Sequence, residues 1–426
     1  MNKINVLVFP AGEINSVELN DSLATCVNIK LFGASSIDKH GEYVFKNYLS
    51  DVPMINEKCF IDEFNKLLAK NNINVIFPTH DTVAEFFAEN LDRINAKVIV
   101  ADKKTAEICR DKEKTFNLFK GEDFCPEIYS EIKQYPVFIK PRKGQGSVGT
   151  KIIKDSNNVP TDMDLNDYVI VEYLPNEEYT VDCLTDKDGI LKCVFPRSRK
   201  RTLAGVCVAG KNEELTDEIK SIAERINDRL NFFGLWFFQI KKDRNNKFKL
   251  MEISTRCSGT MGLTRALGIN LPLLSVYTAM GYDIEIFGNN YNVTIDRTLI
   301  TRYKTDIEYD FVYIDFDDTI LIDDQINFNA IRFLYQCKNT GKKVILLTKH
   351  IYRIRETLEK HAISDKLFFK IVQIANNENK SNYIASQKEK AIFIDNAFQE
   401  RKMVHNKCMI PVFDVDGIEV MLDWRR

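Results

Sequence analysis

Phe237-Phe238-Gln239-Ile240-Lys241-Lys242, followed by Lys247-Phe248-Lys249-Leu250-Met251-Glu252-Ile253-Ser254-Thr255-Arg256, is the stretch on which the reading of this chain turns. Two strand-like runs around Asn245-Asn246 predict a β-hairpin, and a two-residue turn there sets Gln239 directly opposite Glu252. Residues at period two share a face of a strand, so Ser254 and Arg256 follow Glu252 on the same side. Two oxygen ligands about 5 Å apart at their Cβ atoms suit Mg²⁺, which prefers oxygen donors and keeps substrate phosphates in its shell. A hydroxyl and a guanidinium then stand beside the metal. The alternative is a solvated edge carrying unrelated polar residues.

Working outward, Gly144-Gln145-Gly146-Ser147-Val148-Gly149 matches a dinucleotide-binding fingerprint in letters only. That fingerprint requires a helix after the loop, whereas Thr150-Lys151-Ile152-Ile153 is β-branched and short. The loop therefore reads as the tip of a hairpin between Val137 to Lys140 and Lys151 to Lys154, a flap whose backbone N–H groups, including those of Gly146 and Ser147, can cover phosphates. Lys140 adds a cation at its base, and a flexible surface turn is the alternative. Farther on, the apolar strand Val169-Ile170-Val171 ends in Glu172-Tyr173-Leu174, which can offer backbone groups to an adenine edge. Glu178 can accept from ribose hydroxyls, although such a strand end is ordinary by itself. Pro196-Arg197-Ser198-Arg199-Lys200-Arg201 is the densest basic cluster; it is either a solvated loop or a place where Arg199 or Arg201 holds an anionic substrate.

At 426 residues the chain exceeds what one hydrophobic core organises, so two or three domains are expected. A net charge of -2 gives no polyanion-binding surface, and nucleic acid is not the expected partner. The amino-terminal apolar run is too short for a signal peptide, and no run reaches the length of a membrane helix, so a cytoplasmic protein without a membrane partner is expected. The 10 cysteines form no C-x-x-C pair and only five histidines are present, which argues against a zinc site or a disulfide framework. Strand runs at Ile4 to Phe9, Ile73 to Pro78 and Lys97 to Val100 alternate with helical stretches such as Thr82 to Asn90, predicting a parallel α/β layer. From Tyr135 the texture becomes α+β: a hairpin joins Glu178 to Leu184 with Leu191 to Phe195, and helices are expected over Asp217 to Leu230 and Gly262 to Tyr282. A short strand is expected around Thr298 to Arg302, and an α/β pattern restarts at Tyr309.

Together these elements resemble the ATP-grasp superfamily, particularly its carbamoyl-phosphate-synthetase-like and carboxylate-amine-ligase branches, over about residues 1 to 300. The resemblance implies a pre-ATP-grasp α/β domain over 1–105 and an ATP-grasp ATP-binding domain over 106–304. It makes Lys112 the first-lobe lysine, Lys140 the lysine before the flap, Glu172 to Leu174 the adenine hinge and Glu178 the ribose acceptor. Gln239 and Glu252 become magnesium ligands and Arg256 the phosphate-binding arginine; Ser254 stands where the family usually has asparagine. ATP and Mg²⁺, with Mn²⁺ as a substitute, are the implied cofactors.

In the last 120 or so residues, Phe311 to Thr319 is an apolar strand delivering Asp315 and Asp317 at period two, a pair that can divide labour between nucleophile and acid/base. Further strands end at Thr348 and Asp395, and Lys380 precedes the latter, so strand ends of one parallel sheet would gather hydroxyl, lysine and carboxylates around a Mg²⁺-bound phosphate. The alternative is a doubly wound domain with ordinary loop aspartates. This order of motifs resembles the haloacid-dehalogenase superfamily and implies a Rossmann-like phosphatase domain over 305–426. In that resemblance Asp315 is nucleophile and metal ligand, Asp317 acid/base and ligand, Thr348 and Lys380 phosphate binders, and Asp395 a metal ligand; Asn396 and Glu400 replace commoner aspartates. The span between Thr319 and Val344 is too short for a cap domain.

The two resemblances imply a ligase that joins a carboxylate to an amine, or a phosphorylated amine, through an acyl phosphate. A fused phosphatase would strip phosphate from the product, in a setting such as cell-surface sugar decoration. Two independent small-metabolite steps and a nucleotide-sensing regulator are the competing readings, and a homo-oligomer is compatible with all of them.

Overall fold

The apolar run at the amino terminus becomes the middle of a parallel sheet because both of its faces are covered: Val6, Leu7 and Val8 have no exposed surface. In the computed structural model, which describes residues 3–37, 40–159, 165–203, 205–384 and 390–425, the chain divides into a unit over 1–299 and a second over 300–424. The sequence reading placed that boundary at 304/305.

The first unit begins with strands β1 (Ile4–Phe9), β2 (Ile29–Ala34), β3 (Asn47–Leu49), β4 (Val75–Pro78) and β5 (Lys97–Val98), in the spatial order β3-β2-β1-β4-β5. Helices α1 (Ile14–Leu23), α2 (Phe60–Lys70) and α3 (Asp81–Glu89) alternate with them, and α4 (Lys103–Arg110) and α5 (Lys112–Leu118) follow. A second sheet of four strands, β6 (Ile128–Tyr129), β7 (Val137–Pro141), β8 (Lys151–Ile153) and β9 (Tyr168–Glu172), runs in the order β6-β9-β7-β8. β7 and β8 pair antiparallel, with Val137 opposite Ile153, so residues 142–150 are the tip of a hairpin.

A third sheet joins β10 (Glu178–Thr185) and β11 (Leu191–Ser198) to β14 (Gly234–Lys242) and β15 (Phe248–Ser254), after a small sheet begins with β12 (Arg201–Leu203) and β13 (Val206–Lys211) and is completed by β16 (Thr294–Asp296). Its order is β11-β10-β14-β15, antiparallel throughout. Helix α6 (Asp217–Arg229) lies against its far face. Thr216 caps the helix by accepting from the Ile219 N–H, and Ile219, Ile222, Ala223 and Ile226 repeat at helical spacing into a core that includes Trp236 stacked on Phe232 at 3.9 Å.

Two expectations fail here. The helix read over Gly262 to Tyr282 is two helices, α7 (Gly262–Ala266) and α8 (Leu271–Ala279); Gly268 takes φ +89 between them and Asn270 caps the second by accepting from Leu273 N–H. The strand expected at Thr298 to Arg302 is absent, and the short strand lies earlier, at β16, where it pairs with β13.

The second unit is a five-stranded parallel sheet of β17 (Phe311–Ile314), β20 (Lys343–Thr348), β21 (Lys370–Gln373), β22 (Ala391–Ile394) and β23 (Val412–Phe413), in the order β21-β20-β17-β22-β23. A two-stranded hairpin, β18 (Leu321–Ile322) with β19 (Gln325–Ile326), and helix α9 (Phe328–Asn339) fill the span between β17 and β20, with α10 (Ile354–Lys360) and α11 (Phe398–Cys408) later. No helix among the described residues is long and apolar enough to cross a membrane.

Candidate functional site

The β14–β15 hairpin sets Gln239 opposite Glu252, but by a different route from the one the sequence suggested. The turn is not Asn245-Asn246 alone. Residues 243–247 form a longer loop in which Asp243 accepts from the Asn245 and Lys247 N–H groups and Asn246 sits at φ +60. The pairing Ile240 with Leu250 is therefore one residue out of step with Gln239 and Glu252, and Met251 is the extra residue of a β-bulge. The bulge points the Met251 carbonyl at Lys140, whose Nζ donates to it at 2.8 Å.

Lys140 is almost fully enclosed and lies 4.8 Å from the Phe116 ring centroid. Burial, with Lys112 nearby, pulls its pKa down to about 7 against the attraction of Glu252 and Glu178. Lys112, at the start of α5, reaches Glu252 at 3.7 Å and donates to the Gly144 carbonyl at 3.1 Å. Asp111 before it caps the helix and holds Arg142 at 2.8 Å. Gly146 and Ser147 both have positive φ and are exposed at the flap tip, and a Cβ on Gly205 would lie 2.1 Å from the Gly146 oxygen, so flap and β12–β13 turn meet backbone to backbone. Gln145 reaches His80 at 2.7 Å.

With its amide turned to suit both neighbours, Gln239 donates to Glu252 at 3.3 Å and accepts from Arg199 at 3.0 Å. Arg199 also pairs with Glu178 at 2.6 Å, so the acid read as a ribose acceptor is engaged by the basic cluster. Arg201 does not join this group; it lies exposed against Asp296 at 2.6 Å on the small sheet. Glu172 accepts from the Glu127 N–H at 3.0 Å, and burial raises its pKa; Tyr173 and Leu174 follow in the link between the second and third sheets.

Ser254 and Arg256 depart from the expected arrangement. Both bind Asp81 at the first turn of α3: Ser254 Oγ donates at 2.8 Å, and Arg256 makes a two-pronged contact at 2.9 and 2.7 Å. Burial alone would raise the Asp81 pKa, but Arg256 and the Ser254 hydroxyl bring it down to about 2. Ser254 is thus engaged by a carboxylate at the start of α3. Sequence reasoning missed Asp81 because 173 residues separate it from Ser254. Arg197, the most enclosed member of the basic cluster, was also passed over; it donates to Asp182 at 2.8 Å, to Ser258 at 2.7 Å and to Thr260.

In the second unit, residues at the carboxyl ends of the three central strands converge. Lys380 Nζ lies 2.7 Å from Asp315 and 2.6 Å from Asp395, all three buried. Burial raises the Asp315 pKa to about 6 although Lys380 opposes it, and Asp395 is raised for the same reason. Thr348, fully buried, accepts from the His350 N–H at 3.0 Å. The Asp317 carboxylate is turned to His350 Nδ1 at 2.8 Å, and His350 Nε2 meets Thr357 at 2.8 Å. Glu400 pairs with Lys349 at 2.6 Å and its other carboxylate oxygen accepts from the Lys380 backbone N–H at 3.3 Å, while the Asn396 N–H donates to Thr319 at 3.3 Å. His350 was missed because nothing in its neighbourhood marks it; only the fold brings it to Asp317. No group of three His, Cys, Asp or Glu residues among those described is gathered for a metal ion.

A family model described as ATP-grasp in the biosynthetic pathway with Ter operon matches residues 164–305. No curated protein matches the chain. Among solved structures, biotin carboxylase from Campylobacter jejuni aligns with TM-score 0.56 at 16% identity, over 68% of this chain and 74% of that one. The L-amino acid ligase from Bacillus licheniformis aligns with TM-score 0.53 at 13% identity, over 65% and 74%. Pyruvate carboxylase from Rhizobium etli aligns with TM-score 0.55 at 16% identity, over 67% of this chain but only 29% of that one. With its hairpin of Gln239 and Glu252, its flap between β7 and β8 and these structural likenesses, the first part of the chain has the ATP-grasp fold.

Proposed function

We propose that the first unit is an ATP- and Mg²⁺-dependent ligase that activates a carboxylate as an acyl phosphate and joins it to an amine. The observation that carries this reading is the convergence of Lys112, Lys140 and Arg199 on the Gln239–Glu252 pair. One carboxylate and one amide fit a magnesium ion that completes its shell with substrate phosphates, which is the usual way this ion is held. When bound there by Glu252 and Gln239, it would offset charge on the phosphoryl group being transferred. Lys140 and Lys112 would hold the phosphates, Arg256, kept in place by Asp81, would meet developing negative charge, and residues 144–149 would exclude water. Glu172 to Leu174 offer the adenine hinge and Glu178 the ribose acceptor once Arg199 shares it.

For the second unit we propose a haloacid-dehalogenase-type phosphohydrolase. Asp315 attacks phosphorus, Asp317 passes a proton to the leaving oxygen, and Thr348 and Lys380 hold the phosphate. Asp315, Asp395 and Asp317 would hold a Mg²⁺ ion shared with that phosphate, Asp317 through the carboxylate oxygen that His350 leaves unused. The joint reading is a ligase whose product carries a phosphate that the second unit removes, in a pathway such as cell-surface polysaccharide tailoring.

The test is a screen of carboxylates against amines and phosphoamines for ADP release, with mass spectrometry of products. Glu252→Gln should abolish Mg²⁺-dependent ADP formation while phosphate release from phosphomonoesters by the second unit persists. Normal ADP formation by this variant would remove the ligase assignment.

A further inference from the structure

Thr180 has a buried hydroxyl without a hydrogen-bond partner in the protein, and it sits in the middle of the proposed ligase site. Strand register explains the placement. Thr180 on β10 is opposite Arg197 on β11 and opposite Gln239 on β14, and Gln239 is in turn opposite Glu252 on β15. Arg197, Thr180, Gln239 and Glu252 therefore form one transverse row on one face of the sheet. All four line a cavity of about 150 Å³, to which Arg199 and Arg256 also contribute.

The other members of the row have their polar groups engaged. Arg197 is spent on Asp182, Ser258 and Thr260, and Gln239 on Arg199 and Glu252. Buried hydroxyls are ordinarily hydrogen-bonded, and an orphan one is a cost unless something enters to meet it. Each of the three guanidinium groups around the cavity is paired with a carboxylate of the protein, Arg197 with Asp182, Arg199 with Glu178 and Arg256 with Asp81, so the anion comes from the ligase reading and not from unpaired charge. A hydroxyl that both donates and accepts, left without a partner on the same face as Gln239 and Glu252, calls for a polar substituent on whatever fills the cavity. The volume is small beside the roughly 300–1,000 Å³ of drug-sized sites.

We infer that this cavity takes the acid substrate, that the acid is a small carboxylate bearing a hydroxyl or amino group next to its carboxyl carbon, and that Thr180 recognises that substituent. The inference rests on the ligase reading for the acid, and on the unpartnered Thr180 hydroxyl for the substituent. Thr180 is a specificity-determining residue here and takes no part in bond making.

The experiment titrates the full chain, without nucleotide, with matched acids that differ only in the substituent: lactate and alanine against propionate, malate and aspartate against succinate. Binding is followed by calorimetry and ligand-observed NMR, and Mg·ATP is titrated in parallel on the same preparations. The polar member of at least one pair should bind about tenfold more tightly, the size of one net hydrogen bond. Thr180→Val, which keeps the shape, should erase that gap, and Thr180→Ser, which keeps the hydroxyl, should preserve it. Equal binding within every pair, a gap that survives in Thr180→Val, or no acid binding at all overturns the inference. A wild-type chain that discriminates between the acids but ignores Mg·ATP would sink the ligase reading and leave this site standing.

Discussion

Lys140 has a side chain whose charge the surrounding fold resists. Its pKa is about 7 in the folded chain, while an unfolded lysine titrates near 10.4. Between these values the unfolded chain holds a proton that the folded one lacks, so stability rises with pH through that window, and below it the buried ammonium costs its full penalty. Lys140→Met should therefore be more stable than the wild type at pH 6.5, by an amount on the order of a few kcal/mol, with the difference shrinking toward pH 10. Urea denaturation at pH 6.5, 8 and 9.5 measures it, and a gap independent of pH would show that Lys140 titrates normally. A phosphate arriving beside Lys140 reverses the balance, so ATP binding at pH 8 should take up a proton, visible in calorimetry as a dependence on buffer ionisation enthalpy. The cationic character of this site was legible from Lys140 preceding a glycine-rich hairpin. Asp81, His350 and the orphan hydroxyl of Thr180 were not, because each acquires its meaning from a neighbour distant in sequence.

Among the elements, the β14–β15 hairpin shows how a correct pairing can follow from an incorrect turn. Alternation of side chains fixed which residues of each strand face the core, and that constraint survives any turn that keeps parity. The longer loop shifts the register by one residue and the bulge at Met251 shifts it back. Bulges carry no reliable composition signal, so neither change could be read in advance. Deleting Met251 would give a regular ladder that still sets Glu252 opposite Gln239 and keeps Leu250 with Ile240, but would remove the carbonyl to which Lys140 donates. That variant should retain its far-UV circular dichroism while ATP-dependent turnover falls about as far as in Lys140→Ala. Full activity would mean that the bulge has no part in holding the lysine. The break at Gly268 escaped notice for a related reason: Gly262 to Tyr282 is apolar enough to read as one buried helix, and only the cap at Asn270 marks the second start.

On the scale of the molecule, each unit has its own interior. The main core of the second runs from Val312 to Leu422 with all its buried members inside that unit. Both α/β layers were legible from alternating strand and helix signals, whereas the site residues they carry depend on which strands become neighbours, an outcome set by packing. Separate cores allow the proposed reactions to be separated by one substitution. Asp315→Asn keeps the shape and removes the attacking charge, so phosphate release should fall by several orders of magnitude while ADP formation continues. If the second reaction follows the first, this variant given ATP, acid and phosphoamine should accumulate an amide that still carries its phosphate, seen by mass spectrometry. Finding only dephosphorylated amide would end the coupled reading and leave both single activities in place.

The row from Arg197 to Glu252 also acts as a ruler. Its marks are strands, three spacings of roughly 4.8 Å each, so the distance from one end to the other is about 14 Å. Backbone hydrogen bonds set that length, and no side-chain substitution can stretch it. Selection can change what each mark recognises, yet the reach between the acid's end and the phosphate's end is inherited with the sheet.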